Sequence, residues 1–373
     1  MAEKVIKSYK GFDSSLSCRG FQYEVGKEYE MDGHIGCCER GFHACESPLE
    51  VFDHYDMLKS RFAEVEQSGT IDREKNSTKV CSSRIKIKAE LKLADIINIG
   101  VEWLKDITSP SKVKTDSSLI DNGERGKQIG SSGDSVQIGS SGYSVQIGSS
   151  GYSAKIGSSG DYAKIGSSGY SAKIGSSGYS VQIGSSGDYA KIGSSGYSAK
   201  IGSSGDSVQI GSSGDYTKIG SSGDYAKIGS SGDSVQIGSS GDSVQIGSSG
   251  DYTKIGSSGY YAKIGSSGDS VQIGSSGDSV QIGSSGDSVQ IGSSGDYAQI
   301  GSTGADSVIM CAGYKSKAKA KIGSWITLAE WVYNKEKGRY VPVCVKTEYV
   351  DGENIKADTY YQLIDGVFTE VNE

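Results

Sequence analysis

Nineteen consecutive copies of one nonapeptide, I-G-S-S-G-[D/Y]-[S/Y]-[V/A/T]-[Q/K], run unbroken from Ile129 to Gln299, and a frayed copy, IGSTGADSV, follows from Ile300. This strict short period restricts the fold more than any other feature of the chain. One nine-residue unit cannot bury its isoleucine alone, whereas stacked units share a continuous core. Proline, cysteine, tryptophan, phenylalanine and histidine are absent from all nineteen copies, as a core too thin for bulky rings requires.

Each copy divides into a corner and a strand. Gly-Ser-Ser-Gly supplies two glycines able to take positive φ and hydroxyls able to satisfy local backbone groups. The next five residues, for example DSVQI, alternate as a strand does. Val, Ala or Thr and the following Ile fall on the inward face, and Ser or Tyr, then Gln or Lys, on the outward face. The core-forming residues are therefore Ile129, Ile138, Ile147, Ile156, Ile165, Ile174, Ile183, Ile192, Ile201, Ile210 and their later equivalents. The expected fold is an all-β solenoid, a β-roll or β-helix, with two repeats per coil preferred to three. Two per coil gives about ten coils at roughly 4.8 Å each. Lysines at the ninth position recur less often two repeats apart than one or three apart. Avoidance of laddered ammonium groups on one face accounts for that and favours two per coil. Val at position eight is always followed by Gln, and Tyr at position seven by Ala or Thr, a regularity that packing or cassette duplication explains equally well.

The repeat chemistry narrows the functional classes. A calcium β-roll needs an Asp at a fixed place in every turn. Here Tyr replaces it in six copies, including Tyr143, Tyr152 and Tyr170. Thirteen Asp against nine Lys in the nineteen copies is too balanced to imitate a phosphate backbone. An ice-binding lattice of uniform small hydroxyls is not what the mixed Tyr, Ser, Lys and Gln positions provide. What recurs is an outward Tyr two residues before a Lys, at Tyr162/Lys164, Tyr189/Lys191, Tyr216/Lys218, Tyr225/Lys227, Tyr252/Lys254 and Tyr261/Lys263. Tyrosine gives large contact area at low entropic cost, so these pairs are the candidate binding residues. The plainer reading has tyrosine merely covering backbone on a solvated sheet.

Residues 1–122 read as a small α+β domain, 123–312 as the solenoid and 313–373 as a β-rich cap. In SPLEVFDHYDMLK, Ser47 stands as N-cap, Pro48 at the first helical position and Glu50 closes a capping box. RFAEVEQSG and SRIKIKAEL alternate like strands, and ADIINIGVEWLKDI reads as a helix leading into a polar linker. The last segment regains Trp325 and Trp331 and carries Asp-Gly turn signals in YVDGEN and IDGVF. Solenoid ends expose strand edges, so both flanks are expected to cap.

A net charge of −7 gives no basic footprint for nucleic acid. No run of 18 apolar residues and no apolar leader is present, and five of seven cysteines crowd the first 81 residues. Free thiols in a cytoplasmic protein are the expectation. CCERGFHAC offers Cys37, Cys38, His43 and Cys45 as soft ligands, with Cys18 upstream, but lacks paired C-x-x-C spacing, so no metal is expected. His34, His43 and His54 accompany no nucleophile elbow, P-loop or dinucleotide fingerprint, and no cofactor is expected.

The stretches YKGF, CRGFQYEVGKEYE, CERGFHACESPLEVF and EVEQSG, with GYKSKAKAKIGSWITLAEW and VDGENIKADTYYQLIDG, resemble an uncharacterised group of bacterial and phage-associated proteins. Those proteins share such an N-terminal domain, a variable tract of short glycine-rich repeats and a similar closing segment. The resemblance implies a phage or prophage context and no assigned activity. A weaker one is to ADP-ribosyltransferases, whose Arg, Ser and E-x-E order Arg19, Ser47 and Glu64-Val65-Glu66 imitate without the Ser-Thr-Ser strand. The expectation is a non-enzymatic scaffold that binds a host protein or polymer through many weak contacts, including a role against host defence. The alternatives are a spacer or fibre segment of a phage particle, the enzyme, and the ice-binding solenoid.

Overall fold

The computed structural model describes residues 5–372 apart from 38, 49, 52–53, 56–59, 75–76, 93–94, 97–98, 100–102, 104–117 and 122–124, with the backbone alone for 118–121. Two compact units result: Met1–Lys173 with Val181–Gly187 and Lys200–Ser204, and the remainder.

The first segment holds β1 (Ile6–Phe12), β2 (Ser17–Cys18), β3 (Phe21–Gln22), β4 (Glu28–Glu30), β5 (Phe42–Cys45), β6 (Arg61–Arg73) and β7 (Lys79–Leu91). Five of them form an antiparallel sheet in the order β4-β7-β5-β1-β6, and β6 pairs again with β7, so β7-β5-β1-β6 closes on itself. Phe12, Tyr23, Phe42, Val65, Ile85 and Ile87 fill one side. Tyr9, Cys45, Val51, Phe62 and Ile96 form a second cluster. Gln67 is fully buried yet satisfied: it accepts from Ser8 Oγ at 2.7 Å and donates to the Phe42 carbonyl at 2.7 Å.

The helical part of the α+β expectation needs correction. Among the described residues no complete helix is present. Asp95, Ile96, Ile99 and Trp103 have α-helical backbone, and the rest of the second expected helix lies outside the described residues. In the first, Glu50 and Val51 make a single 3₁₀ turn, and 49, 52–53 and 56–59 lie outside the described residues. Glu50 closes no capping box. Its carboxylate turns to the β6–β7 side and accepts from the Ser77 hydroxyl, the Thr78 amide at 3.1 Å and the Thr78 hydroxyl at 2.7 Å.

The solenoid runs for about eleven turns over residues 128–328. Before it stands β8 (Ser118–Asp121), and twenty four-residue strands follow, β9 (Gln128–Ser131) to β28 (Gln299–Ser302), each starting nine residues after the last. Then come β29 (Val308–Cys311), β30 (Lys317–Lys319), β31 (Trp325–Asn334), β32 (Arg339–Tyr349), β33 (Tyr361–Ile364) and β34 (Val367–Glu370). Even-numbered repeat strands make one parallel sheet, which we call sheet A, and odd-numbered ones the other, sheet B. Register advances by eighteen residues, Gln245↔Lys263 and Ile246↔Ile264. Two repeats per coil is therefore what the chain adopts, although laddered lysines are not avoided, since Lys155 and Lys173 begin neighbouring strands of sheet A.

The core is the expected one. All ten isoleucines from Ile129 to Ile210 are at most 3% exposed, and position eight, as at Val244 and Ala262, is fully buried. The first Ser of each copy, such as Ser248 or Ser266, also points inward. Strand and corner lie elsewhere than the sequence pattern suggests: the strand is Gln/Lys-Ile-Gly-Ser, and DSVQI contains the turn. Left-handed backbone falls at the seventh position, where every residue from Ser207 to Tyr297 has a φ of 54–56°, while no repeat glycine has a positive φ. A non-glycine residue there costs on the order of 1 kcal/mol. Hydrogen bonds to adjacent coils offset it. The Ser207 amide donates to the Asp224 carbonyl at 2.8 Å. The Asp242 amide donates to Asp224 Oδ1 at 2.7 Å, and Asp242 Oδ1 accepts from the Tyr260 amide at 2.8 Å. The sixth-position aspartates thus have a structural task, capping backbone N–H groups from coil to coil.

Where tyrosines stack at position six, the corner changes. Tyr152 lies on Tyr170 at 5.2 Å and Tyr179 on Tyr197 at 5.3 Å. The serines after them have no left-handed φ, and the Ser171 and Ser198 amides donate back to the Tyr152 and Tyr179 carbonyls, each at 2.9 Å. A lone Tyr260 in an aspartate column keeps the aspartate-type corner.

At the C-terminal end both sheets finish in antiparallel hairpins. β31 continues sheet B from β29 and pairs with β32, and β33–β34 joins sheet A through Ala318↔Tyr361. Leu328, Val350, Tyr361 and Leu363 are buried there. The outer strand β32 carries Pro342 and faces a register shift at Glu330/Trp331, two features that discourage further strand addition.

Candidate functional site

Two surfaces carry chemistry. Along sheet A from β16 to β26 the ninth and second positions face outward, so Lys or Gln alternates with an unobstructed glycine, whereas Gly148, Gly166, Gly184 and Gly202 of sheet B are buried. On sheet A this makes a trough of about 1210 Å³ floored by Gly211, Gly229, Gly247, Gly265 and Gly283 and flanked by Lys191, Lys227 and Lys263, with Tyr360 at one end. An added Cβ on any of those five glycines meets nothing within 4 Å.

The six sequence-predicted pairs do not share one face. Tyr189/Lys191, Tyr225/Lys227 and Tyr261/Lys263 lead into strands of sheet A, and Tyr162/Lys164, Tyr216/Lys218 and Tyr252/Lys254 into strands of sheet B. The reason is parity: with two repeats per coil, odd and even copies go to opposite sheets. All six tyrosines are exposed, Tyr225 at 64% and Tyr261 at 65%. On sheet A the pairs recur every second coil, about 9.6 Å apart at the usual strand spacing.

The expectation that Lys164, Lys218 and Lys254 belong to the same binding face is therefore corrected. Lys218 opens β19 (Lys218–Ser221) and Lys254 opens β23 (Lys254–Ser257), both on sheet B, so neither of them lines the trough. Lys218 is half-buried, and Lys254 is exposed. Both are in register with Gln236 of the strand between them, and Lys254 also with Gln272 on its other side. Lys164 is drawn away: its Nζ lies 3.3 Å from Glu50 Oε2. The sheet B intervals are uneven as a result of sequence order alone, 54 residues from Lys164 to Lys218 and 36 from Lys218 to Lys254. Burial works to raise the Glu50 pKa, but the Lys164 ammonium and the Ser77 and Thr78 hydrogen bonds outweigh it and hold the carboxyl below its ordinary value.

The second surface was not singled out from the sequence. A cavity of about 920 Å³ opens in the first domain, and Lys10 of β1 is in its wall. Lys10 is only 3% exposed. Its Nζ lies 3.0 Å from the His43 carbonyl, 3.3 Å from Tyr55 Oη and 3.6 Å from Cys18 Sγ. The rings of Phe12, Tyr23 and Tyr55 surround it at 5.5–5.8 Å. No carboxylate pairs with it among the described residues. Burial lowers the Lys10 pKa, against smaller opposing contributions from Cys18, and burial raises that of Tyr55. Gly11 makes the arrangement possible, since a Cβ there would fall 2.3 Å from the Tyr55 ring. Gly41 has a φ of 138°, and a Cβ on it would sit 2.0 Å from Cys81 Sγ. The glycines of YKGF and CERGF are thus close-approach positions. The signal in the sequence was a lysine embedded in SYKGF, flanked by aromatics on a strand of which only Lys7 is exposed.

Arg19 lines the same cavity, but Ser47, Glu64 and Glu66 do not. Glu64 pairs with Lys7 at 2.9 Å and Glu66 with Lys88 at 3.0 Å. Of the cysteine cluster, Cys45 is buried and Cys37 partly so, while Cys38 lies outside the described residues; burial pushes the thiol of Cys81, on β7, up to about 12. Among the described residues no three ligating side chains gather as a metal site, and no helix is long and apolar enough to cross a membrane.

Residues 6–99 match a family model described as a domain of unknown function (DUF7666). The match spans the closed sheet and every residue named above in the Lys10 cavity, and it stops before the repeats. No curated protein and no solved structure matches the chain.

Proposed function

We propose that the chain is a non-enzymatic scaffold that captures an elongated host protein segment or polymer along the trough of sheet A. The observation that carries this reading is the even two-coil recurrence of Tyr189/Lys191, Tyr225/Lys227 and Tyr261/Lys263 beside a glycine floor. A flat, repeated site of this kind gives avidity without any strong single contact. The flanking motifs shared with phage-associated proteins support a phage or prophage origin, and with it a role against host defence in the bacterial cytoplasm. The scattering of Arg19, Ser47, Glu64 and Glu66 supports a scaffold over an ADP-ribosyltransferase.

Serine is native at the seventh position in the same left-handed conformation, so Tyr→Ser changes remove the side chain and keep the corner. Capture from host lysate by Tyr189→Ser/Tyr225→Ser/Tyr261→Ser should fall on the order of 10²-fold, while Tyr162→Ser/Tyr216→Ser/Tyr252→Ser leaves it unchanged. Undiminished capture by the first variant overturns the reading. Recovery of the protein as a component of purified phage particles, with no host partner, favours a spacer instead.

A further inference from the structure

We propose that Lys10 forms a reversible imine with the carbonyl group of a small anionic ligand held in the cavity of the first domain. This is independent of the repeat surface. An ammonium buried without a carboxylate costs several kcal/mol. The Lys10 side chain is nevertheless kept inside, and among the described residues a carbonyl, a phenol, a thiol and three rings surround its nitrogen. Burial favours the uncharged amine, which is the nucleophilic form. A cavity of about 920 Å³ is of the size that holds a small ligand, and Lys10, Cys18 and Tyr55 share its wall.

The chemistry balances within the site. The Lys10 nitrogen adds to the carbonyl carbon to give a carbinolamine. Tyr55, whose phenol burial keeps protonated, gives its proton to the departing hydroxyl and recovers one from the nitrogen. Amine and carbonyl become imine and water, with no oxidant or reductant. Arg19 and Arg40 stand in the wall, where Lys79 is paired with Glu74 at 3.3 Å and hydrogen bonds from Ser17 and Ser15 keep Asp13 ionised. The guanidinium groups of Arg19 and Arg40 are the partners for a carboxylate or phosphate on the ligand, and Phe21 and Tyr23 offer a planar group a face.

Pyridoxal 5′-phosphate, an aldehyde with a ring and a phosphate, is a suitable probe for the full-length protein at neutral pH. After borohydride reduction and peptide mapping, Lys10 should be modified at least about tenfold faster than the exposed Lys227 and Lys263. Tyr55→Phe, with amide exchange in β6 and β7 unchanged, should slow labelling of Lys10 about 10²-fold, the usual contribution of a general acid. Lys10→Arg should abolish the fast phase. Labelling of Lys10 no faster than of Lys227, or non-covalent probe binding with nothing trapped at Lys10, overturns the proposal.

Discussion

Gly250→Ala is expected to disrupt the solenoid, whereas Gly247→Ala three residues away is expected to leave it intact. The two glycines belong to one IGSSG corner and look equivalent in the sequence. A Cβ on Gly250 would lie 1.9 Å from the Gly232 carbonyl oxygen of the coil below, while one on Gly247 meets nothing within 4 Å. The first clash is with backbone, so only wider coil spacing relieves it, and that breaks parallel ladder bonds on both sides. Overpacking of a rigid core costs about 1–3 kcal/mol, and a backbone clash belongs at or above the top of that range. Because each coil touches only its neighbours, the damage should appear as lost amide protection centred on residues 232–268. Gly247→Ala reduces the freedom of the unfolded chain at an extended position and should stabilise by about 0.4–1 kcal/mol. Urea titrations of the two variants against the parent give the comparison.

Glu50→Ala is expected to be the most damaging single change outside the repeats. Its carboxylate joins Ser77 and Thr78 of the first domain to Lys164 of the third repeat strand pair, and the side chain is 8% exposed. Removing one partner of a buried ion pair costs about 3–5 kcal/mol. The sign of the acid effect follows from the lowered folded-state pKa. Glu50 contributes stability that is fully present above its unfolded value, near 4.5, and lost as pH falls through the lower folded value. Glu50→Gln should therefore be clearly less stable than the parent at pH 7, and the gap should narrow steadily below pH about 4.5. Amide exchange of β6 and β7 at both pH values measures it. A gap independent of pH contradicts a charged role for this residue.

How much of this was legible in the sequence depended on which force decided each feature. Burial of Ile and of the small eighth residue follows from period and polarity, and the structure keeps both. Glycine at the fifth position invited a positive-φ explanation because that is its commonest use. Close approach between coils demands it instead, and only a structure with the coil below in place shows that. The left-handed seventh position was hidden because Ser and Tyr are unusual there, and the compensating Asp–amide ladder joins residues eighteen apart. The separation of Lys164, Lys218 and Lys254 from Lys191, Lys227 and Lys263 was within reach, since two repeats per coil already sends them to opposite sheets. Lys10 was not: Cys18, His43 and Tyr55 come to it only through closure of β7-β5-β1-β6. The helix expected from Ser47 to Lys59 rested on local capping chemistry, and Glu50 found stronger partners in Ser77 and Thr78.

The repeat surface exists only if the coil is eighteen residues long. Distances between nitroxides attached at residues 245 and 263, and at 245 and 272, through chemistry that spares the native thiols, measure it directly. Residues 245 and 263 are paired on adjacent strands of one sheet, and 272 belongs to the other. The first distance should be the shorter, consistent with strands about 4.8 Å apart, and the second should span the core. Close approach of 245 to 272 instead, with 263 remote, means three repeats per coil and contradicts the architecture.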